Sequence, residues 1–262
     1  MQSHIDFAYP WYLTYGHLVI AAILLPIVAI AVNSKWSKVF IAGIAALVVW
    51  SIGAFLVVLL GFAPNGRMAL PTESFLATGT GRVLDLGAGS GRSSLMVLGA
   101  RPKATLVALD SFSNSYAEHF DTKVDDKQIL DAGRQRLLSN FAAAGVADRA
   151  AIQAADMRLL PFPPASFDGV VSAYAVDHLG RKGIESTLSE ASRVLRPGGD
   201  FLLIVLAKDF WIEFAWGPLM LHARLPNEEQ WQQYLRATGF QIVEQGTRPA
   251  TRYFLVRKLL HG

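Results

Sequence analysis

Two long stretches without any charged side chain constrain the fold more than any other feature of this sequence. Residues 7–34 and residues 39–66 each run for 28 positions without Asp, Glu, Lys or Arg. Within them, residues 13–32 and 39–62 are each long enough to cross a bilayer core, which takes about 20 helical residues. We therefore predict that residues 1–66 form a hairpin of two transmembrane helices.

The placement of aromatic residues supports this interpretation. Tyr and Trp are enriched where membrane helices meet the interface, and four of them cluster at the start of the first helix, namely Tyr9, Trp11, Tyr12 and Tyr15. Pro26 lies inside that helix, where a kink is tolerated in a membrane. A signal peptide fits poorly, since the N-terminus lacks basic residues. A buried helical hairpin in a soluble core stays open as the alternative.

The composition excludes several classes of protein. The chain has 262 residues, with 24 Lys plus Arg against 21 Asp plus Glu, a net charge of +3. Hydrophobic residues make up 52%, which excludes disorder. The absence of cysteine excludes a disulfide scaffold, a cysteine-ligated metal site and a cysteine nucleophile. Because the charge balance is close to neutral, we expect no nucleic-acid partner.

Residues 67–262 have the pattern of one α/β domain. Short apolar runs with little alternation are typical of strands buried on both faces, and they occur at residues 82–86, 104–109, 150–154, 168–172 and 201–206. Helical patterns lie between them at residues 90–99, 127–144 and 182–195. Alternating strands and helices predict a parallel sheet with helices on both faces.

The end of the chain departs from this alternation. Residues 227–238 are predicted to form a helix, and two strands follow at residues 240–244 and 251–258. The gap between these two strands is too short for a helical crossover, so the pair should be antiparallel. The predicted fold is a doubly wound, Rossmann-like sheet of seven strands, mostly parallel, with the last strand antiparallel.

A glycine-rich segment carries the chemistry. Residues 83–91 form a strand that leads into a turn and a helix, and we call residues 87–91 the glycine turn. Glycines let a ligand approach the backbone closely. A dinucleotide site would show G-x-G-x-x-G, but Gly91 comes one residue early and Arg92 stands in the glycine's place. Asp85 suits a ligand with an ammonium group.

Asp110 ends the next strand, where its carboxylate can accept hydrogen bonds from both hydroxyl groups of a ribose. With these features the sequence resembles the class I S-adenosylmethionine-dependent methyltransferases over residues 72–258, and especially the subgroup with ubiquinone and menaquinone C-methyltransferases. The resemblance rests on residues 85–91, Asp110, residues 155–162, 166–171 and 193–199. It implies S-adenosylmethionine as the methyl donor and S-adenosylhomocysteine as the product.

The resemblance also implies which residues contact this cofactor: Asp85, Gly87, Ala88, Gly89, Gly91, Asp110, Ser111, Asp156, Met157 and Ser172. The glycine turn should lie against the methionine and ribose groups, with Asp85 facing the ammonium group and Asp110 the ribose. Asp156 should accept from the adenine amino group, with Met157 beside the ring. The alternatives are a helix N-cap for Asp156 and a turn residue for Asp110.

The loop after the fourth strand should face the methyl acceptor, because ligands bind at the carboxyl ends of parallel strands. His178 is a candidate general base in this loop, although it is equally suited to pack against the next helix. Tyr174 should either pack on the cofactor or contact the substrate. We expect no metal. Residues 111–126 contain His119 and several acids, but they are more typical of a solvated polar loop.

Residues 208–222 form an unusually apolar insertion after the fifth strand. Seven large apolar residues lie close together there, namely Phe210, Trp211, Phe214, Trp216, Leu219, Met220 and Leu221. This density predicts the wall of a lipophilic pocket or a segment that lies at a membrane interface. Ordinary core packing is the alternative.

Together these features predict an integral membrane methyltransferase that acts on a small lipophilic or lipid-dissolved acceptor. The basic residues flanking the helices do not decide the topology, since two lysines in the connection balance two arginines beyond the second helix. We place the catalytic domain and both termini in the cytosol, where S-adenosylmethionine is made. The alternative is a membrane-tethered S-adenosylmethionine-binding regulator without catalysis.

Overall fold

The structure, a computed structural model, describes residues 5–112, 126–220 and 225–259. Its N-terminal part is a hairpin of two long helices, α1 (Trp11–Asn33) and α2 (Lys38–Gly61). Both are long and apolar enough to cross a membrane. Pro26 lies inside α1 without ending it, and the Ser37 side chain accepts a hydrogen bond from the N–H of Phe40 at the start of α2, as an N-cap does.

The rest of the described chain alternates strands and helices. In order these are β1 (Thr80–Leu86), α3 (Arg92–Ala100), β2 (Lys103–Asp110), α4 (Asp126–Ala143), β3 (Ala150–Ala154), β4 (Phe167–Ala173), α5 (Arg181–Val194), β5 (Leu195–Leu206), α6 (Phe210–Met220), α7 (Glu228–Ala237), β6 (Phe240–Arg248) and β7 (Thr251–Lys258). Short 3₁₀ turns lie at Ala147–Arg149 and Val176–His178.

The seven strands form one sheet in the order β3-β2-β1-β4-β5-β7-β6. Strands β1 to β5 pair in parallel, whereas β7 is antiparallel to both of its neighbours. This confirms the predicted fold class. We call the edge formed by the carboxyl ends of β1 to β5 the carboxyl edge. The β6–β7 turn lies at this edge too, because Leu206 pairs with Thr251.

Two strands, β5 and β6, are longer than predicted by four residues or more. Strand β5 begins at Leu195 rather than at residue 201, because the chain passes from α5 directly into the sheet and Leu195 pairs with Phe167. Strand β6 runs on to Arg248, since it pairs with β7 along its whole length and leaves only Pro249 and Ala250 for the turn. The predicted antiparallel relationship of the last two strands is confirmed.

Helices cover both faces of the sheet. On one face, α5 and α7 enclose a core that contains Phe167, Phe201, Trp231 and Phe254. On the other face, α3 and α4 enclose a core that contains Phe75, Leu137 and Phe141. Burying each such side chain contributes roughly 1.5–3 kcal/mol. The two cores hold the strands in register and so fix where the carboxyl edge presents its loops.

Candidate functional site

The glycine turn sits at the carboxyl edge between β1 and α3. The N–H groups of Gly87 and Ala88 donate to the carbonyl of Leu109 on β2, at 2.9 and 3.0 Å. Gly89 has a φ of +52°, and in the described chain no heavy atom lies within 4 Å of where a Cβ would stand. A side chain would fill this open space, so the backbone at Gly89 is free to meet a ligand.

Asp110 is fixed against this turn. Its Oδ2 accepts from the N–H of Gly89 and its Oδ1 from the N–H of Phe112, both at 2.8 Å. Burial raises the pKa of Asp110, and the backbone N–H bonds oppose that rise. A carboxylate has about four acceptor positions, and the N–H of Ser111 is a third backbone donor to it. The remaining acceptor capacity fits a ligand with hydroxyl donors.

Asp85 lies deeper, below the glycine turn. Its carboxylate is fully buried and accepts from the hydroxyl groups of Ser93, at 2.7 and 2.9 Å, and Ser94, at 2.5 Å. Burial raises the pKa of Asp85 to about 6, and the charge of Asp110 adds to this rise. Asp85 therefore fastens the first turn of α3, and its contact with a ligand ammonium group stays a prediction.

Asp156 and Met157 follow β3. The Asp156 carboxylate accepts from the N–H of Arg158 at 2.8 Å and from its guanidinium at 2.5 Å, which lowers the pKa of Asp156. In this structure it thus stabilises its own turn, and its contact with an adenine amino group stays a prediction. The Met157 methyl group lies 3.0 Å from where a Cβ on Gly87 would stand, so Met157 lines the glycine turn.

Three further predicted cofactor residues are Ser172, Ala88 and Ser111. The Ser172 hydroxyl is buried and donates to the carbonyl of Leu86 at 2.8 Å, which ties β4 to the strand before the turn. The Ala88 side chain packs in the core, so only its backbone can face a ligand. Ser111 is exposed beside Asp110. Their roles toward the cofactor stay predictions.

The two candidate catalytic residues lie in different environments. Tyr174 is buried, and its hydroxyl lies 3.4 Å from Oγ1 of Thr251 and 3.5 Å from the carbonyl of Gly61 at the end of α2. Burial raises the pKa of Tyr174, so the phenol keeps its proton at neutral pH. His178 is exposed at the end of a 3₁₀ turn.

Sequence reasoning missed Asp177, which directly precedes His178. Its Oδ2 accepts from the N–H of Leu206 at 3.0 Å, which joins the loop after β4 to the end of β5. Burial raises the pKa of Asp177, and the charge of His178 opposes this rise. An acidic residue in an otherwise apolar loop was the available signal. Asp177 adds a third titratable candidate at the carboxyl edge.

Sequence reasoning also missed the contacts of Arg92, which it treated only as a departure from the dinucleotide motif. The Arg92 guanidinium is buried and bonds to backbone carbonyls just beyond α2. These partners lie about 30 residues earlier, so no local pattern indicates them. The glycine turn and the hairpin are therefore connected directly.

The predicted polar loop at residues 111–126 lies almost wholly outside the described residues, which omit 113–125. Among the residues that the structure does describe, no three His, Asp or Glu side chains form a group suited to a metal ion.

The insertion combines two of the environments that were expected of it. Ile212 and Ala215 on α6 are buried against α2 and the β6–β7 turn, whereas Phe210 and Trp211 are 67% and 43% exposed. Leu221 lies outside the described residues, and the side chains of Leu219 and Met220 are not described either. One side of α6 therefore packs, and the other presents aromatic rings outward.

Residues 84–203 match the family described as a methyltransferase domain. The demethylmenaquinone methyltransferase of Symbiobacterium thermophilum is 38% identical over 82 residues, which cover 31% of this chain and 30% of that protein. The ubiquinone/menaquinone biosynthesis C-methyltransferase UbiE of Methylobacterium nodulans is 32% identical over 124 residues, covering 47% and 41%. This chain thus spans less than half the length of these two relatives.

Solved structures show the same fold. An S-adenosylmethionine-dependent methyltransferase of Methanosarcina mazei superposes with a TM-score of 0.54 at 17% identity, covering 70% of this chain and 94% of that one. An O-methyltransferase family 2 protein of Planctomyces limnophilus gives 0.53 at 18% identity, covering 72% and 54%. The sheet order, the glycine turn and the family match define a class I methyltransferase domain. Residues 84–203 therefore carry a methyltransferase domain, as the resemblance in the sequence indicated.

Proposed function

We propose that this protein is a membrane-anchored methyltransferase that transfers the methyl group of S-adenosylmethionine to a small lipophilic acceptor dissolved in the membrane. One observation carries the proposal: the helical hairpin meets the domain at the carboxyl edge, which also holds the glycine turn and Asp110. The carbonyl of Gly61, the last residue of α2, accepts from Thr251 at 3.2 Å. The anchor and the donor site therefore share one edge of the sheet.

The exposed apolar surface of the hairpin supports a location in a bilayer rather than burial in a soluble core. Eight large apolar side chains on α1 and α2 are more than half exposed, namely Trp11, Ile23, Leu25, Ile30, Val32, Val39, Val49 and Leu60. Soluble monomers rarely expose a contiguous apolar patch larger than a few hundred Å². A hydrocarbon environment would cover all of these side chains at once.

The position of α6 supports a route from the membrane to the site. The indole N–H of Trp50 on α2 donates to the carbonyl of Phe214 on α6 at 2.8 Å. At about 1.5 Å per residue, Trp50 lies roughly 16 Å along the helix from Gly61. If α2 spans the bilayer, the Phe214 part of α6 therefore lies beside the middle of α2, within the hydrocarbon core of about 30 Å.

The outward side of α6 suits that depth. Phe210 stacks with Phe214 at 5.8 Å between ring centroids and meets Trp211 edge to face at 5.3 Å. Covering such rings with lipid removes them from water, which is favourable by roughly 1.5–3 kcal/mol for each ring that is fully buried. A lipid-dissolved acceptor would then reach the carboxyl edge along α6 without crossing water.

The residues at the carboxyl edge supply binding and alignment. When bound, S-adenosylmethionine supplies a methyl carbon on a positively charged sulfur. Asp110 and the glycine turn would hold this donor, and the loop after β4 would place the acceptor in line with it. Alignment of two reactants contributes about 7–11 kcal/mol. Where the acceptor must lose a proton, Asp177 and His178 are the titratable groups of that loop, and a positioned base contributes about 10²- to 10⁴-fold.

We infer the membrane topology from the compartment in which the methyl donor is made. Because S-adenosylmethionine is made in the cytosol, we place the domain and both termini there, and the connection between α1 and α2 on the opposite side. The equal numbers of basic residues flanking the helices give no opposing argument.

One observation favours a second function, a membrane-tethered S-adenosylmethionine-binding regulator. The ring of Phe62 packs edge to face on Tyr174 at 4.5 Å between centroids, and this contact covers part of the loop that should face the acceptor. A regulator needs no access to this loop, whereas an enzyme must admit the acceptor beside this contact.

Binding and turnover measurements on the full chain in nanodiscs distinguish these functions. Both require binding of S-adenosylmethionine and S-adenosylhomocysteine, and tighter binding of a nicotinamide dinucleotide would contradict both. The enzyme should produce S-adenosylhomocysteine when a bacterial lipid extract is added. The regulator should bind the donor without any acceptor-dependent turnover.

A further inference from the structure

We propose that the two ends of the hairpin form a strap that orders the glycine turn, and that Arg92 is the positioning residue that holds this strap. The strap consists of residues 5–10, before α1, and residues 62–66, after α2. The inference rests on the proposed function only in taking S-adenosylmethionine as the ligand of the turn. It assigns the hairpin a part in donor binding as well as in anchoring.

Arg92 donates hydrogen bonds to the chain that follows α2. Its Nε donates to the carbonyl of Gly66 at 2.9 Å, and its Nη2 donates to the carbonyls of Phe62 at 2.6 Å and Ala63 at 2.7 Å. The last carbonyls of a helix lack partners within the helix, and a cation near them is stabilising. Arg92 thus pairs carbonyls of the chain just beyond α2 and places a cation beside that helix end.

Aromatic rings enclose this guanidinium. Arg92 is only 6% exposed, and its Cζ lies 5.3 Å from the ring centroid of Phe62 and 5.7 Å from that of Tyr174. The Tyr9 ring meets Phe62 edge to face at 5.5 Å. Cation–π contacts are stronger when the cation is removed from water, as it is here. The contact therefore joins both halves of the strap to the loop after β4.

The first half of the strap is tied to the glycine turn itself. The Ser90 hydroxyl donates to the carbonyl of Phe7 at 3.0 Å. The Asn140 side-chain amide donates to the carbonyls of Asp6 at 2.7 Å and Ser90 at 2.8 Å, and its oxygen accepts from the N–H of Asp6 at 2.9 Å. A residue inside the turn and the residue just after it therefore each hold one half of the strap.

These bonds couple the hairpin to the donor site. If the docked strap favours the binding geometry of the turn, a donor on the turn must favour the docked strap by the same factor, because coupling between two sites is reciprocal. Typical coupling factors are about 5- to 150-fold. Loss of the Arg92 bonds should therefore weaken donor binding even though the variant keeps Asp110 and every glycine of the turn.

The chain offers a matched control at the other end of α3. Arg101 is 7% exposed and likewise donates to backbone carbonyls of a neighbouring segment, those of Glu73 and Phe75, at 2.7 and 2.9 Å. It lies at the edge of the sheet opposite the glycine turn. Arg101→Met therefore removes a comparable set of buried bonds without touching the strap.

Calorimetry with S-adenosylhomocysteine on the full chain in nanodiscs tests the proposal. We expect Arg92→Met to raise the Kd at least about fivefold, Arg92→Lys to recover part of the loss, and Arg101→Met to stay within about twofold of the wild type. Equal Kd values for Arg92→Met and the wild type would overturn the strap, as would an equal loss in Arg101→Met. The proposed function would survive either result, because the wild type still binds the donor.

Hydrogen exchange on the wild type gives a second test that does not depend on any variant folding. Added S-adenosylhomocysteine should slow exchange of the amides in residues 62–66 as well as in the glycine turn. In Arg92→Met the slowing should remain in the turn and disappear from residues 62–66. Slowing confined to the turn in the wild type would overturn the proposal.

Discussion

The N–H of Gly89 donates a hydrogen bond of 2.8 Å to Oδ2 of Asp110. Two positions 21 residues apart thus form one unit, in which the turn fixes the carboxylate and the carboxylate fixes the turn. The open space over Gly89 and the remaining acceptor positions of Asp110 belong to the same unit. The proposed donor site is therefore largely preformed, and single substitutions in it should weaken donor binding measurably.

The first prediction concerns Asp110. Asp110→Ala should weaken binding of both S-adenosylmethionine and S-adenosylhomocysteine by about 1.5–3 kcal/mol, the scale of hydrogen bonds to a charged group. Calorimetry measures this directly. Asp148→Ala, which removes an exposed carboxylate from the 3₁₀ turn before β3, is the control and should leave the affinity unchanged. An unchanged affinity in a folded Asp110→Ala variant would remove the ribose assignment.

The second prediction concerns the pH dependence of stability. Burial raises the pKa of Asp85 to about 6, so between about pH 4 and 6 the folded protein binds a proton there that the unfolded chain does not. Ionised Asp85 therefore destabilises the fold at pH 7, and this cost is relieved as the pH falls through 6. Asp85→Asn carries no such cost.

Thermal unfolding of the wild type and of Asp85→Asn at pH 5, 6 and 7 measures this effect. Between pH 7 and pH 5, the free energy of unfolding of the wild type should rise by on the order of 1 kcal/mol relative to that of Asp85→Asn. A difference between the two proteins that stays constant over this range would show that Asp85 does not titrate as its burial requires.

The third prediction concerns topology. The chain has no native cysteine, so introduced cysteines can be labelled without background. Ser34→Cys, in the exposed connection between α1 and α2, should react with a membrane-impermeant reagent in intact cells. Ser139→Cys, exposed on α4, should react only after lysis. The opposite labelling pattern would contradict both the cytosolic placement and the argument from donor supply.

The fourth prediction concerns α6. Replacing Phe210 and Trp211 together by Ala should raise the KM for a lipophilic acceptor in liposomes by about tenfold, the equivalent of 1.4 kcal/mol. Donor affinity should stay within about twofold, because neither side chain touches the glycine turn in the structure. Val243→Ala, on an exposed apolar residue of β6, is the control. Equal KM values in all three proteins would exclude α6 from acceptor binding.

The sequence predicted the elements where local patterns are strong. Strands β3 and β7 occur at the predicted bounds because a turn residue comes just before each of them, Asp148 before β3 and Pro249 before β7. The capping box of Asn227 and Gln230 marks the start of α7. The start of β5 was predicted six residues late, since Pro197 and Gly198 are typical of a turn. Pairing across the sheet overrides that local preference.

The site was predictable only where its residues belong to a local sequence motif. Gly89 and Asp110 belong to a motif that can be seen in sequence, whereas Arg92 and Gly66 meet only through tertiary packing. The same holds for Trp50 and Phe214, which are 164 residues apart. A single sequence therefore indicates the proposed donor site, whereas the proposed acceptor route rests on contacts that only the structure shows.

Transfer of an isotopic methyl label tests the central claim most directly. The full chain in nanodiscs is incubated with methyl-labelled S-adenosylmethionine and a bacterial lipid extract, and the products are separated and identified by mass spectrometry. We predict label in a small lipid-soluble molecule with the wild type, and little or none with Asp110→Ala at the same donor concentration. Absence of any labelled product with a wild type that binds the donor would contradict the account and favour the regulator.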